Sequence, residues 1–175
     1  MEDTREDLPQ DLMIWVLIVS ELAVFGAGLL AFLAMRITDP SGFAQAAGHL
    51  HPVAAGLGTM LLVTSGAFAA WGARDLRALP LLIAALGGAG FLILKSREWG
   101  TLFHEGMSTE THPFFTFYYL LTGFHAAHVI AGIIALIVVA WRKREAEVSA
   151  AVAFWHMVDL VWVMLFPVIY LLGAV

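Results

Sequence analysis

The sequence predicts an all-α integral membrane protein, a bundle of five transmembrane helices, and two observations support this fold class. Hydrophobic residues make up 61% of the 175-residue chain and charged residues only 13%, whereas about a quarter of a soluble domain is charged. The apolar residues also fall into five runs, each close to the roughly 20 residues that a helix needs to cross a bilayer. None of these runs alternates polar and apolar residues, so helices are favoured over barrel strands.

The five helices are predicted at approximately 12–35, 52–71, 79–104, 113–141 and 149–172, within a single transmembrane domain covering 1–175. Pro52 falls in the first turn of the second helix, where its missing N–H costs nothing. Ser149 can cap the start of the fifth helix. Pro167 removes a backbone hydrogen bond inside that helix and predicts an irregularity there.

Charges in the loops predict how the chain crosses the membrane. The N-terminus and the loops after the second and fourth helices share one face, and the opposite face carries only Arg36. The first face carries six basic residues: Arg5, Arg74, Arg77, Arg142, Lys143 and Arg144. Because basic loops stay in the cytoplasm, the N-terminus is expected to be cytoplasmic and the C-terminus outside, in a bacterial cytoplasmic (inner) membrane.

Composition argues against several functions. The chain has no cysteine, which excludes disulfides, thiolate metal ligands and redox thiols. The net charge of −5 gives no indication of nucleic-acid binding.

Ionisable side chains at membrane depth are the candidate functional residues, because each costs roughly 2.5–3.5 kcal/mol at mid-bilayer and is kept for a reason. Several of them follow one another at a spacing of three residues, which places them on one helix face. This spacing joins Lys95 to Glu98, Thr122 to His125 and His128, and His156 to Asp159. The full predicted intramembrane set is Glu21, Lys95, Arg97, Glu98, Thr122, His125, His128, Trp155, His156 and Asp159.

Three functions are compatible with this set. A stand-alone membrane metalloenzyme could use its His, Glu and Asp side chains as ligands, although the spacing differs from the Glu-x-x-His of di-iron bundles. A proton-conducting membrane protein could relay protons between the same carboxylates and histidines. In the third interpretation the groups hydrogen-bond one another and tie the last three helices together, each bond contributing about 0.6–2 kcal/mol. Residue chemistry alone favours this structural role.

Two segments near the C-terminus resemble a known family. Residues 114–129 contain TGFHAAHV at 122–129, and residues 154–162 read FWHMVDLVW. Both are similar to signatures of subunit III of haem-copper (cytochrome c) oxidases. Residues 96–99 (SREW) resemble the helix that carries the buried glutamate of that family, and residues 15–25 resemble the first helix of its short five-helix form.

The resemblance implies a non-catalytic accessory subunit, with no catalytic, cofactor-binding or metal-binding residue of its own. Haem and copper are then expected in a partner catalytic subunit I-type membrane protein, and membrane phospholipids are expected as further partners. Glu98 corresponds to a buried carboxylate linked to proton uptake. His125 and His128 correspond to the polar network between helices, and His156 and Asp159 to the matching group on the last helix.

A finer resemblance is to the nitric oxide reductase branch of the family, in which a subunit III-like protein is accessory to the reductase. It rests on residues 7–15 (DLPQDLMIW), on the short first loop, and on MVDLVW at 157–162 with LFP at 165–167.

Overall fold

The computed structural model describes residues 7–172 and confirms the all-α fold, with five helices long and apolar enough to cross a membrane. The helices are α1 (Asp7–Thr38), α2 (Pro40–Ala47), α3 (Pro52–Asp75), α4 (Ala78–His104), α5 (Pro113–Arg142) and α6 (Glu145–Phe166), followed by a π-helical turn (Pro167–Leu171). The five predicted spans correspond to α1, α3, α4, α5 and α6. Arg5, one of the six basic residues in the charge argument, lies outside the described residues.

Four of the long helices form a bundle around the core. α3 packs against α4 and α6, and α5 packs against the same two helices from the other side. α1 lies at the edge of this bundle, where it contacts α5 and α6. Most of the α1 surface therefore remains uncovered by the rest of the chain, whereas α6 is the most buried of the five.

The structure extends several helices beyond their predicted ends. α6 begins at Glu145, four residues before the predicted start, so Ser149 lies one turn inside the helix and does not cap it. Glu145 and Glu147 occupy the first turn, where carboxylates interact favourably with the helix dipole. α3 continues past Trp71 to Asp75, where Leu76 ends it in the left-handed conformation at φ 48°. The ends of these helices therefore contain polar residues, and a prediction based on hydropathy alone makes the helices too short.

Pro167 does produce an irregularity in the last span, and the structure shows its form. From Pro167 onward the helix widens into a π turn, in which the Leu172 N–H donates to the Pro167 carbonyl over 2.9 Å. Proline removes a backbone donor and so interrupts the α-helical hydrogen bonds. The helix does not end there; its hydrogen bonds change from a spacing of four residues to a spacing of five. This turn rotates Tyr170 into the bundle, where it is buried.

The short helix α2 was not predicted from the sequence. Asp39 caps it, because the Gly42 N–H donates to Asp39 Oδ1 over 3.0 Å. His112 Nδ1 accepts from the Phe114 N–H at the start of α5, so the hydrogen of this ring lies on Nε2 and is donated to Asp39 Oδ2 over 3.1 Å. Asp39 and His112 thus connect the first and third loops on the predicted outer face.

The hydrogen bond from the Gly42 amide, followed by that from His112, lowers the pKa of Asp39 below its ordinary value of 3.8. A carboxyl whose pKa is lowered by folding stabilises the folded state above its unfolded pKa, and this contribution is lost as pH falls through the folded pKa. We therefore expect the α2 cap to weaken only below about pH 4. In a carboxyl NMR titration, Asp39 should titrate below 3.8, and His112→Ala should move its midpoint upward.

Candidate functional site: a buried network of ionisable side chains

The tightest polar group in the structure surrounds the Lys95 ammonium. Nζ donates to Glu98 Oε2 over 2.8 Å, to Tyr118 Oη over 3.2 Å and to Tyr170 Oη over 2.5 Å. The Tyr170 hydroxyl in turn donates to the same Glu98 oxygen over 2.7 Å. All four side chains are buried. We call this group the Lys95 cluster; its three acceptors match the three donors of an ammonium group.

Three helices supply the Lys95 cluster. Lys95 and Glu98 lie one turn apart on α4, Tyr118 lies in the second turn of α5, and Tyr170 comes from the π turn after α6. The Trp162 ring of α6 lies 5.0 Å from Nζ, close enough for a cation–π interaction. Trp162 Nε1 also donates to Thr59 Oγ1 of α3 over 2.9 Å. The cluster and Trp162 therefore join all four helices of the bundle.

Arg97 does not take part in the Lys95 cluster. It lies on the exposed face of α4, turned away from Glu98. Because positions 95 and 98 face inward, position 97 is rotated away from them by the helix geometry. Lys95 is therefore the cation that pairs with Glu98.

A second ion pair attaches α1 to the bundle. His128 Nε2 lies 3.0 Å from Glu21 Oε2, and His128 Nδ1 lies 2.8 Å from the Phe124 carbonyl. A carbonyl oxygen can only accept, so Nδ1 carries a hydrogen. The second proton is then shared between Nε2 and the Glu21 carboxyl, and the pair is neutral overall wherever that proton lies. A neutral pair is the arrangement that costs least at this depth in a membrane.

His125 and Thr122 lie deeper in the bundle than His128. The His125 Nε2–H donates to the Val158 carbonyl of α6 over 3.2 Å, and its Nδ1 meets no partner among the described residues. The Thr122 hydroxyl donates to the Tyr118 carbonyl of its own helix over 2.6 Å. The stripe predicted on α5 is therefore divided, since His128 faces α1 while the other two face the core.

Trp155 fills the centre of the bundle and is completely buried. Its Nε1 donates to Ser65 Oγ of α3 over 3.1 Å. The indole lies between Gly88 of α4 and Gly132 of α5, where an added methyl carbon would come within 2.5 Å of the ring. Two glycines thus make room for one large side chain.

Gly132→Ala is expected to lower the free energy of unfolding by about 1–3 kcal/mol, because the new methyl group would overlap the rigid indole of Trp155. Gly123→Ala on the same helix is the matched control, since nothing lies within 4 Å of its added carbon. The control should be neutral or stabilising by up to about 1 kcal/mol. Denaturation of the detergent-solubilised variants, followed by circular dichroism, measures both; equal losses would contradict the close packing.

The last predicted pair, His156 and Asp159, lies near the middle of α6 and faces α3. Asp159 is 8% exposed and its Oδ1 has no hydrogen-bond partner among the described residues. The other carboxylate oxygen lies against Gly66 of α3, 2.5 Å from where a Cβ would stand. His156 is exposed and approaches the same glycine. Unlike the side chains of the Lys95 cluster, neither member of this pair forms a side-chain hydrogen bond among the described residues.

Sequence reasoning missed Tyr118, Tyr170, Ser65 and Thr59, which complete the hydrogen bonds of the network. The chain has only three tyrosines, and two of them belong to the Lys95 cluster. A buried tyrosine or tryptophan needs a partner for its polar atom. This rule could have indicated from the sequence that these side chains form hydrogen bonds, but it could not identify the partner of each one.

The fold and this network define a class of protein: a multi-pass helical membrane protein whose buried ionisable side chains mainly pair with one another. No group of three or more His, Asp or Glu side chains that could hold a metal ion is found among the described residues. The sequence profile of the family described as cytochrome c oxidase subunit III matches residues 10–174. The chain therefore belongs to the cytochrome c oxidase subunit III family.

Individual relatives agree with the profile. The chain is 31% identical to cytochrome c oxidase subunit 3 of Corynebacterium diphtheriae, over 89% of this chain and 84% of the relative. It is 29% identical to the protein of that name from Bacillus sp. PS3, over 98% of this chain and 90% of the relative. It is also 33% identical to haem-copper oxidase subunit I+III of Aeropyrum pernix, over 90% of this chain and 22% of that longer protein.

These matches identify the family and leave its branch open. The relatives named above are oxidase proteins, so the nitric oxide reductase branch stays a prediction from the sequence.

Proposed function

We propose that this chain is a non-catalytic accessory subunit of a respiratory haem-copper oxidase complex, and that it supports the assembly and stability of that complex. The observation that carries this proposal is the Lys95 cluster, in which cation and carboxylate are buried and bonded to each other. Such groups are closed to a substrate and join helices instead. The family to which the chain belongs supports the same role.

The proposal includes a partner, its cofactors and a location. The partner is a membrane-spanning catalytic subunit of the subunit I type, which carries haem and copper, and the complex also holds membrane phospholipids. The Aeropyrum pernix relative, described as subunit I+III, supports this pairing. The charge asymmetry of the loops supports a bacterial cytoplasmic membrane, with the N-terminus inside and the C-terminus outside.

Purification in mild detergent, through a tag on this chain, tests the proposed function. We expect a large haem-bearing subunit to accompany the chain, detected by its visible spectrum and identified by mass spectrometry. A catalytic subunit that reduces nitric oxide would place the chain in the nitric oxide reductase branch. Stoichiometric iron or zinc lost on replacing His125 or His156 would favour the metalloenzyme, and proton flux through liposomes containing only this chain would favour the proton conductor.

A second role, in proton uptake, is favoured by the free side of Glu98. Its Oε1 has no partner among the described residues. Glu98 also lines a cavity of about 10 Å³, together with side chains that include Phe91, Lys95 and Trp162. This volume is about the minimum for one water molecule, which could exchange a proton with the carboxyl group. We include Glu98 in the proposal as a carboxylate that helps to sustain proton uptake by the complex.

Two variants separate a proton role from a structural role of Glu98. Glu98→Gln removes the carboxyl group and leaves Lys95 unpaired, whereas Lys95→Met with Glu98→Gln removes both charges. If Glu98 helps proton uptake, both variants should start at the normal rate and lose activity faster during sustained turnover. If only the double variant recovers sustained turnover, Glu98 has a purely structural role. Complete loss of the initial rate in an intact complex would contradict both the proton role and the structural role.

A further inference from the structure

His156 and Asp159 form the least satisfied polar pair among the described residues at membrane depth. They occupy the middle of the last span, Glu145–Leu171. Exposed hydroxyls elsewhere in the spans bond to their own helices: Ser20 donates to the Leu17 carbonyl, and Thr101 donates to the Arg97 carbonyl. Asp159 Oδ1, by contrast, is buried without a partner. Lipid cannot supply a hydrogen bond at this depth, so the face that bears this pair is poorly suited to contact lipid.

The surface around this pair can accept another helix. On α3, Gly66 lies against Asp159, and Val63 and Ala70, three and four residues away, lie on the same side and are exposed. On α6, His156 and Val163 are exposed. Small residues allow the backbones of two membrane helices to approach closely. We call this surface the α3–α6 seam; it consists of Val63, Gly66, Ala70, His156, Asp159 and Val163.

We propose that the α3–α6 seam is the surface on which a transmembrane helix of the haem-bearing catalytic subunit docks, with a hydrogen-bond donor side chain reaching Asp159. This inference rests on the proposed function. The carboxyl group lacks a donor, and the partner supplies one. The Aeropyrum pernix relative is described as subunit I+III, so the two kinds of subunit are joined in one chain in that protein. This fusion supports a close contact between the two subunits.

Photo-cross-linking locates the docking surface directly. A photoreactive amino acid at Val63 (53% exposed) is expected to cross-link to the catalytic subunit in membranes. The same amino acid at Ile130 (50% exposed), at a similar depth on α5 diagonally across the bundle, is the matched control and should react with lipid. Cross-links from Ile130 and none from Val63 would overturn the seam. Cross-links from Ala153, in the groove between α1 and α6, without any from Val63 would overturn it as well.

Asp159→Leu separates docking from internal stability. We expect the variant to retain roughly tenfold less catalytic subunit during purification in mild detergent, the factor expected for loss of a charge-assisted hydrogen bond. Because the substitution removes a buried carboxyl group that has no hydrogen-bond partner among residues 7–172, the isolated full-length variant should unfold at the same denaturant concentration as the wild type or a higher one. A destabilised isolated chain with an intact complex would show that Asp159 acts only within this subunit.

The controls keep this inference distinct from the proposed function. If wild-type chain brings down no haem-bearing subunit, the proposed function fails and the docking surface fails with it. In a second outcome, the wild-type complex forms, Asp159→Leu retains as much catalytic subunit as the wild type, and the photoreactive amino acid at Val63 gives no cross-link to that subunit. This outcome would overturn the docking surface and leave the proposed function standing.

Discussion

Replacing Lys95 with methionine is expected to lower the free energy of unfolding by about 3–5 kcal/mol, because it leaves the Glu98 carboxylate buried without its cation. Methionine retains the length of the side chain, so lost packing contributes little. The tyrosine hydroxyls of the Lys95 cluster would also lose the ammonium group that bonds to them. Denaturation of the detergent-solubilised chain, followed by circular dichroism, measures the loss.

Two controls isolate the cost of the unpaired charge. Arg97→Met removes a cation from the exposed face of the same helix and should change the free energy of unfolding by no more than about 0.5 kcal/mol. Lys95→Met combined with Glu98→Gln removes both charges and should recover most of the stability. Equal losses in the single and double variants would mean that the ion pair is unimportant.

Trp155→Ala is expected to cost about 3–5 kcal/mol, since it opens a cavity in the centre of the bundle. The same change removes the hydrogen bond from the indole to Ser65 Oγ, whose hydroxyl keeps only its own bond to the Leu62 carbonyl. Trp141→Ala is the matched control: that indole is 79% exposed at the end of α5, and its loss should be small. The same denaturation experiment applies to both.

Trp155→Phe divides this loss between volume and hydrogen bonding. It keeps most of the aromatic packing between Gly88 and Gly132, so we expect a loss well below that of alanine, dominated by the missing hydrogen bond from the indole to Ser65. A loss as large as that of Trp155→Ala would mean that the hydrogen bond, rather than the packing, holds α3 and α6 together.

Hydropathy was sufficient to predict the five membrane helices, because bilayer thickness fixes the length of an apolar span. It missed α2, whose eight residues are too few to cross a membrane and whose start depends on the Asp39 cap. The ends of α3 and α6 were misplaced for a related reason. Charged residues at those ends stay helical, since helices continue into the interfacial region beyond the apolar core.

The polar network was only partly predictable. Spacing along one helix places Lys95 and Glu98 on the same face, and they are in contact. The same rule grouped His128 with His125, although the two residues face different helices. Spacing describes one helix at a time. It could not show that Tyr170 contacts Lys95, because the two residues are 75 positions apart in the chain. That contact depends on the π turn at Pro167, which rotates the tyrosine inward.

The Glu21–His128 pair has a consequence for the order of biosynthesis. The two residues are separated by 107 positions in the chain. At about 5–20 residues per second, Glu21 emerges from the ribosome roughly 5–20 s before its partner. During that interval α1 lacks both its neutral pair and the α5 surface against which it packs. Insertion of α1 and its attachment to the bundle are therefore separate events in time, and the second cannot precede synthesis of α5.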